Sequence, residues 1–127
     1  MRLKGKRIYI ADDDENVLYV VTAMLEREGA KVVAGINGSK MFTAVSFGDP
    51  DCIISDLYMP LTDGFDAIEA IKDFLPIDCP ILVLTGYPTE ENIARALESG
   101  ATECLAKPLK ADELIDTVVR LIDDSSC

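Results

Sequence analysis

The fold is decided by the stretch Ile53-Ile54-Ser55-Asp56-Leu57-Tyr58-Met59-Pro60-Leu61-Thr62-Asp63-Gly64. Its apolar start is typical of a buried strand, and one carboxylate, Asp56, follows that strand directly. Pro60 and the pair Asp63-Gly64 then predict a shaped loop that leads into a helix. Asp56 is therefore expected at the end of a strand, and the other charged residues of interest are those that can reach it.

Short apolar runs alternate with segments whose apolar residues recur at helical spacing. The predicted strands are Ile8–Ala11, Val32–Ala34, Cys52–Ser55, Ile81–Leu84 and a fifth near Thr102–Ala106. A predicted helix follows each of them. This alternation, together with strands that lack polar alternation, predicts an α/β fold with a parallel sheet covered on both faces.

Turn and cap residues set the predicted helix boundaries. Ser39 is expected to cap a second helix over Met41–Phe47. The third helix is expected to run to Pro76. Thr89 is a good cap for the fourth helix, because a hydroxyl oxygen there accepts from free backbone N–H groups, and Gly100 is expected to end that helix.

Composition bounds the function. The 127 residues, 49% of them apolar, are enough for one domain, and the net charge of −11 disfavours direct contact with nucleic acid or an anionic membrane. No apolar run is long enough to span a membrane, and no signal peptide opens the chain. The chain has no histidine to serve as a base or ligand. Four separated cysteines predict mostly buried thiols and a reducing cytoplasm: Cys52, Cys79, Cys104 and Cys127.

The polar candidate residues all follow predicted strands. Asp12 and Asp13 come after the first strand, and Asp56 comes after the third. Thr85 ends the fourth strand, and Lys107 follows the fifth. Because sites in open parallel sheets form beyond the carboxyl ends of the strands, we expect these side chains to share one pocket.

Three carboxylates in one pocket require a cation or protons between them. A hard divalent ion such as Mg²⁺ suits their oxygens, and Asp56 has the chemistry to accept a phosphoryl group. Lys107 would hold a phosphoryl oxygen, and the Thr85 hydroxyl would donate to it. Two plainer interpretations stay open: Asp12, Asp13 and Asp14 merely cap the first helix, and Asp56 forms a turn.

Several motifs together resemble the receiver domain of two-component response regulators. They are Ile10–Asp14, Asp56–Pro60 with Asp63-Gly64, Leu84–Gly86, and Gly100-Ala101 leading to Lys107–Leu109. The resemblance covers nearly the whole chain. It implies a flavodoxin-like, doubly wound (βα)₅ fold with strand order 2-1-3-4-5, and it makes residues 1–127 a single receiver domain, stand-alone or at the N-terminus of a longer protein.

The resemblance also implies roles at the site. Asp56 matches the phosphoacceptor, while Asp12 and Asp13 match the acidic pair that binds Mg²⁺ or another divalent cation such as Mn²⁺, with the Tyr58 carbonyl as a further ligand. Asp14 matches a variable position and receives no role. The domain would be a signalling switch that catalyses its own phosphorylation and slow autodephosphorylation.

The remaining roles concern the phosphoryl group and its donor. Thr85 matches the switch hydroxyl and Lys107 the phosphate-binding lysine, with the Lys107–Pro108 bond expected to be cis. The donor would be a histidine kinase or a phosphotransfer protein, and an output partner or domain, of a class that the residues do not specify, would read the phosphorylated state. No direct nucleic-acid contact and no membrane contact are expected.

Two local features depart from or refine the family pattern. Cys104 stands three residues before the lysine, where the family usually has Tyr, Phe or His, so we hypothesise that the Thr85 half of the switch survives while the aromatic half is absent or differently built. Side-chain positions compared with and without beryllofluoride would test this. Tyr58 and Tyr87 each lie two residues past a site residue and predict a long-lived phosphorylated form, unless both rings simply lie on the rim.

The last predicted helix has an apolar arc wider than the ~100° stripe of a one-sided helix. The arc consists of Leu114, Ile115, Val118, Val119, Leu121 and Ile122. It predicts either a deeply buried helix edge or, slightly favoured, a partner or homodimer surface on the face of helix 4, strand 5 and helix 5.

Two other classes of function compete with the receiver interpretation. A phosphatase of the haloacid dehalogenase type also uses an Asp nucleophile, but it needs a second Asp two residues on, where this chain has Tyr58. A flavodoxin-like electron carrier needs a hydroxyl- and amide-rich phosphate loop after the first strand, where this chain has three acids that would repel phosphate.

Overall fold

The computed structural model describes residues 1–35, 37–46, 48–58, 63–75 and 78–125. The strands are β1 (Arg7–Ala11), β2 (Lys31–Gly35), β3 (Cys52–Ser55), β4 (Ile81–Thr85) and β5 (Glu103–Ala106). The helices are α1 (Glu15–Arg27), α2 (Gly38–Ser46), α3 (Gly64–Phe74), α4 (Glu90–Ser99) and α5 (Ala111–Ser125). The predicted alternation of strands and helices is confirmed, with strand boundaries shifted by a single residue.

The five strands form one parallel sheet in the order β2-β1-β3-β4-β5. β1 lies between β2 and β3, so Ile8 stands opposite both Val32 and Cys52. The predicted doubly wound, flavodoxin-like order is therefore confirmed. The order changes direction at β1 and β3, and this brings Asp12 and Asp56, which follow those two strands, next to each other.

The sheet separates two layers of the core. Because successive strand residues point to opposite faces, Ile53 packs with Phe65 and Ile68 of α3 on one side. Its neighbour Ile54 packs on the other side in the layer that holds Leu25 of α1 and Leu114 of α5. The central strands β3 and β4 are thus buried along their whole length because both of their faces are covered, whereas the edge strands β2 and β5 are partly exposed.

The apolar arc of α5 is accounted for by the core. Leu114, Ile115, Val118, Leu121 and Ile122 are buried, and Val119 is half-buried. The arc therefore supports the buried-edge interpretation and lends no support to a homodimer surface. The opposite case is α4, whose one fully buried residue is Ala96 and whose Leu97 is 47% exposed.

Helix caps agree with the sequence in two cases and differ in one. Thr89 caps α4 by accepting from Asn92 N, and Gly100 ends that helix at a positive φ of 125°. The prediction that Ser39 caps α2 is wrong. Asn37 does so, because its Oδ1 accepts from Lys40 N at 2.8 Å and the helix begins at Gly38. The predicted ends at Phe47 and Pro76 lie outside the described residues.

Two further predictions concern the burial of the cysteines and the absence of a membrane-spanning segment. Cys52 and Cys79 are buried and Cys104 is half-buried, all with free thiols, while Cys127 lies outside the described residues. Burial raises the pKa of the Cys79 thiol to about 11. Among the described residues, no helix has both the length and the apolar character to cross a bilayer.

Candidate functional site

The three aspartates after β1, Asp12, Asp13 and Asp14, have different structural roles. Asp14 is the N-cap of α1, and its Oδ1 accepts from Asn16 N at 2.9 Å and Val17 N at 3.4 Å. Asp12 is buried, and its Oδ1 accepts from Asp14 N at 2.9 Å. The capping interpretation thus applies to Asp14, which leaves the second oxygen of Asp12 and the carboxylate of Asp13 facing the site.

Asp56 is fixed by the backbone around it. Its N–H donates to Ala11 O at 2.9 Å, and its own Oδ1 accepts from Leu57 N at 2.7 Å. The chain then returns against it, because Gly64 N donates to Leu57 O at 2.8 Å. A Cβ on Gly64 would lie 2.0 Å from the Asp56 carbonyl oxygen, so only glycine fits there. Asp63 caps the helix that begins at Gly64.

The strand ends bring three carboxylates and one ammonium together in what we call the acceptor centre, formed by Asp12, Asp13, Asp56 and Lys107. One oxygen from each aspartate lies within 4.8 Å of the others. Lys107 Nζ is 2.7 Å from Asp12 Oδ2 and 3.4 Å from Asp56 Oδ2. One ammonium facing three carboxylates leaves the centre short of positive charge.

Burial and the excess of negative charge shift the pKa values of Asp56 and Lys107. Burial, followed by the negative charge of Asp12, raises the pKa of Asp56, although Lys107 and the Leu57 N–H oppose the rise. Burial lowers the pKa of Lys107, but its hydrogen bond to Asp12 and the charges of both aspartates outweigh burial, so its pKa is raised overall. Burial is thus the first cause of the Asp56 shift, and the surrounding negative charge is the cause of the Lys107 shift.

The donor set of the acceptor centre fits a hard divalent cation. It offers carboxylate oxygens from three residues, the ligand type that Mg²⁺ prefers. A second positive ion there would relieve the repulsion that Lys107 alone leaves uncompensated. The carbonyl of Tyr58 as a further ligand stays a prediction.

Thr85 and Lys107 meet at the next two strand ends. Thr85 is fully buried at the end of β4, and its carbonyl accepts from Lys107 N at 2.8 Å. The Thr85 Oγ1 accepts from Tyr87 N at 2.9 Å. The Lys107–Pro108 bond is cis, as predicted. The backbone bond between the two residues joins the predicted switch hydroxyl to the lysine of the acceptor centre.

Beside the acceptor centre lies a second group, which we call the tyrosine rim: Tyr58, Tyr87 and Asn92. The two tyrosine rings meet edge to face, with centroids 5.6 Å apart, and are 46% and 65% exposed. Tyr58 Oη donates to Asn92 Oδ1, and Asn92 Nδ2 donates to Tyr87 O, both at 2.9 Å. Sequence reasoning found the tyrosines and missed Asn92, which carries no motif.

Cys104 lies on β5 opposite Val83 of β4. Its side chain is half-buried and packs against the core layer formed with α3. Burial, followed by the charge of Glu103, raises the pKa of this thiol. Position 104 thus holds a small, protonated side chain, whereas the family that the chain resembles usually has Tyr, Phe or His there.

Comparison with known proteins settles the family. The family model described as the response regulator receiver domain matches residues 8–119. This chain belongs to that family. As a receiver domain it acts in two-component signal transduction.

Relatives of this receiver domain include much longer proteins. It is 36% identical over 124 residues to the DNA-binding transcriptional regulator NtrC of Azospirillum brasilense, covering 98% of this chain and 26% of that protein. It is 32% identical over 123 residues to the sensory/regulatory protein RpfC of Xanthomonas campestris, covering 94% of this chain and 17% of that protein. The chain thus spans about a quarter or less of these relatives.

A solved structure bears on the metal. The receiver domain of the sensor histidine kinase PA1611 from Pseudomonas aeruginosa has a magnesium ion coordinated in its active-site cleft. This chain is 27% identical to it, with a TM-score of 0.85 over 94% of this chain and 98% of that one.

Proposed function

We propose that this receiver domain accepts a phosphoryl group on Asp56 from a histidine kinase or a phosphotransfer protein. The observation that carries the proposal is the acceptor centre: a buried carboxylate at a strand end with the Lys107 ammonium 3.4 Å from its Oδ2. Asp56 Oδ1 is held by Leu57 N, so Oδ2 is the oxygen directed at an incoming group.

The transfer is a displacement at phosphorus. An Asp56 oxygen forms the new O–P bond, the N–P bond to the donor's imidazole breaks, and its electron pair stays on the imidazole nitrogen. Lys107 holds one phosphoryl oxygen by its charge, and the Thr85 hydroxyl donates to another. Because the donor presents an activated phosphoryl group, the domain's contribution is position and charge, which makes its own site the catalyst.

Asp12, Asp13 and Asp56 would hold Mg²⁺ or Mn²⁺, as the donor set and the magnesium-bound relative support. When bound, the ion supplies positive charge for the phosphoryl oxygens. Asp12 keeps Lys107 in place through the 2.7 Å contact, so the lysine faces the same side of the acceptor centre as Asp56.

The added charge on Asp56 would change a protein-interaction surface that an output partner or domain reads. Relatives include a DNA-binding regulator and a sensory protein, so the output class differs between them. We infer that residues 1–127 are one receiver domain. Localisation in the cytoplasm stays a prediction. A homodimer through the face of α4, β5 and α5 also stays a prediction, and light scattering with and without beryllofluoride tests it.

The two competing classes are not favoured by the site. In place of the second aspartate of a dehalogenase-type phosphatase stands Tyr58, whose hydroxyl donates to Asn92. The acids after β1 crowd the position where an electron carrier would place its flavin phosphate.

The test is exposure of the protein to beryllofluoride or acetyl phosphate with Mg²⁺, read by amide NMR shifts and intact mass. The wild-type protein is expected to respond with acetyl phosphate by a mass gain of one phosphoryl group. Asp56→Ala is expected to lose the response, and Asp66→Ala, an exposed acid on α3, is expected to keep it. A response that survives in Asp56→Ala would overturn the assignment.

A further inference from the structure

A continuous path of hydrogen bonds joins the loop after β4 to the loop after β3. Thr85 Oγ1 accepts from Tyr87 N, and Tyr87 O accepts from Asn92 Nδ2. Asn92 Oδ1 then accepts from the Tyr58 hydroxyl, which lies two residues beyond Asp56. Each of these three bonds is 2.9 Å long. The predicted switch hydroxyl and the predicted acceptor are thus connected around the outside of the site.

Asn92 is the residue on which this path depends. A side-chain amide offers both a donor and an acceptor, and here Nδ2 serves Tyr87 while Oδ1 serves Tyr58. The backbone N–H of Asn92 donates to the cap residue Thr89 at 3.1 Å, which fixes it in the first turn of α4. One residue of α4 therefore holds both loops.

A second contact joins the same elements. The Tyr58 ring meets the Phe65 ring edge to face with centroids 6.2 Å apart. The guanidinium of Arg95, on α4, lies 4.0 Å from the centroid of the Phe65 ring. Tyr58 is therefore linked to α4 directly through Asn92 and indirectly through Phe65. A movement of α4 would consequently displace the Tyr58 ring.

We propose that Asn92 is a positioning residue that ties Tyr58 to Tyr87, so that both loops move with α4 when Thr85 turns toward a phosphoryl group on Asp56. The proposal rests on the proposed function, because it requires Thr85 to rotate its hydroxyl, which now accepts from Tyr87 N, toward a phosphoryl oxygen on Asp56. When Thr85 turns, Tyr87 loses its acceptor, and Asn92 carries the change to Tyr58.

This path supplies a link that Cys104 does not. The Cys104 side chain is small and lies on β5 in the half-buried layer facing α3. The rings that flank the acceptor centre are instead those of Tyr58 and Tyr87, and both are exposed enough to move at little cost in buried area. The conformational response is thereby placed on the β4–α4 side of the site.

The test uses the four tyrosines of the chain as probes, since tyrosine-selective labelling gives few signals. In the wild type, beryllofluoride with Mg²⁺ is expected to shift both the Tyr87 amide and the Tyr58 ring. In Asn92→Ala, the Tyr87 amide still shifts, while the shift of the Tyr58 ring falls at least threefold. Glu91→Ala, an exposed neighbour on the same turn, is the matched control and is expected to behave as wild type.

Two finer variants guard against a general disturbance of the helix. Tyr58→Phe removes one oxygen and keeps the ring, so it is expected to uncouple the two loops as Asn92→Ala does. The ring at position 58 is then read by phenylalanine-selective labelling, because tyrosine labelling no longer reports on it. Asn92→Asp keeps the acceptor for Tyr58 and removes the donor to Tyr87 O. The shift of the Tyr58 ring is therefore expected to fall in this variant as it does in Asn92→Ala.

The outcomes separate this inference from the proposed function. If the wild type shows no Asp56-dependent response, the proposed function fails and this inference fails with it. If the wild type responds through Asp56 and the Tyr58 ring shifts equally in Asn92→Ala, only the positioning role of Asn92 is overturned. If Glu91→Ala also uncouples the rings, the effect belongs to the helix as a whole and the role of Asn92 is again overturned.

Discussion

The acceptor centre and the tyrosine rim adjoin each other and are built in opposite ways. In the acceptor centre, Asp12 and Asp56 are buried and face a lysine, so its contacts are ionic. In the tyrosine rim, Tyr58 and Tyr87 are exposed and joined by neutral hydrogen bonds through Asn92.

This contrast indicates that the acceptor centre is the fixed part of the site and that the tyrosine rim is the part that can vary. Charges at the ends of packed strands hold their positions because the sheet holds their backbones, and an unpaired charge there is costly. An exposed ring bonded to a helix side chain can shift or be replaced at a cost of about 1 kcal/mol. The chemistry therefore resides in the fixed part, and individual character resides in the variable part.

The largest effect is expected from Lys107→Ala in the acceptor centre. It leaves Asp12 and Asp56 facing each other without a cation, which should reduce the free energy of unfolding by about 3 kcal/mol in urea titrations without divalent ions. Lys110→Ala, an exposed lysine nearby, should change it little. Adding Asp56→Asn to Lys107→Ala should restore much of the lost stability. Equal stability of Lys107→Ala and Lys110→Ala would contradict the ionic description of the acceptor centre.

A pair of glycine variants makes the same comparison through the backbone. Gly64→Ala would press a Cβ against the Asp56 carbonyl and is expected to cost about 2 kcal/mol of unfolding free energy. Gly86→Ala lies after β4, where nothing stands within 4 Å of the added Cβ, and should gain about 0.5 kcal/mol. Thermal unfolding of both proteins checks the difference, and a stable Gly64→Ala would show that the acceptor loop is not tightly packed.

A smaller effect of opposite sign is expected from Asp13→Asn. Removing one of three crowded carboxylates should stabilise the metal-free domain by about 0.5 kcal/mol, a modest amount because Asp13 is exposed and screened by solvent. The rise in melting temperature that Mg²⁺ produces in the wild type should shrink, because one ligand is gone. Glu26→Gln on α1 is the charge-matched control; an unchanged response to Mg²⁺ would exclude Asp13 from the metal site.

The last prediction is kinetic and concerns the tyrosine rim. Tyr58→Asn should speed loss of the phosphoryl group about fivefold, roughly 1 kcal/mol of activation free energy, because water gains access to Asp56. Tyr19→Asn, the same change at an exposed tyrosine of α1, should leave the rate unaltered. The decay is followed by intact mass after the phosphodonor is removed, and an unaltered rate in Tyr58→Asn would show that the ring does not shield the acceptor.

The acceptor centre could be predicted because its position follows from short-range patterns. An apolar run ending in Asp56 locates a strand end, and parallel strands bring all such ends to one edge. The resemblance set Asp14 apart from Asp12 and Asp13, but its capping role could not be assigned, because any of three consecutive aspartates can cap a helix until the helix start is known.

The part of Asn92 in the rim and one cap could not be predicted, for physical reasons. The bond from Tyr58 to Asn92 joins residues 34 positions apart, and nothing in the local pattern of either residue indicates it. Ser39 and Asn37 both carry a capping oxygen within two residues, so the choice depended on where the backbone turned. The arc of α5 was ambiguous because spacing shows how wide an apolar face is and not what covers it.

The slight anchorage of α4 has a consequence for the dynamics of the domain. With Ala96 as its one fully buried residue, this helix can open locally at a low free energy, while α5 with its six buried residues opens only when most of the domain does. Hydrogen exchange should therefore be fast along α4 and slow along α5. Signal and stability are in this way assigned to different helices, and the domain can change its surface without approaching global unfolding.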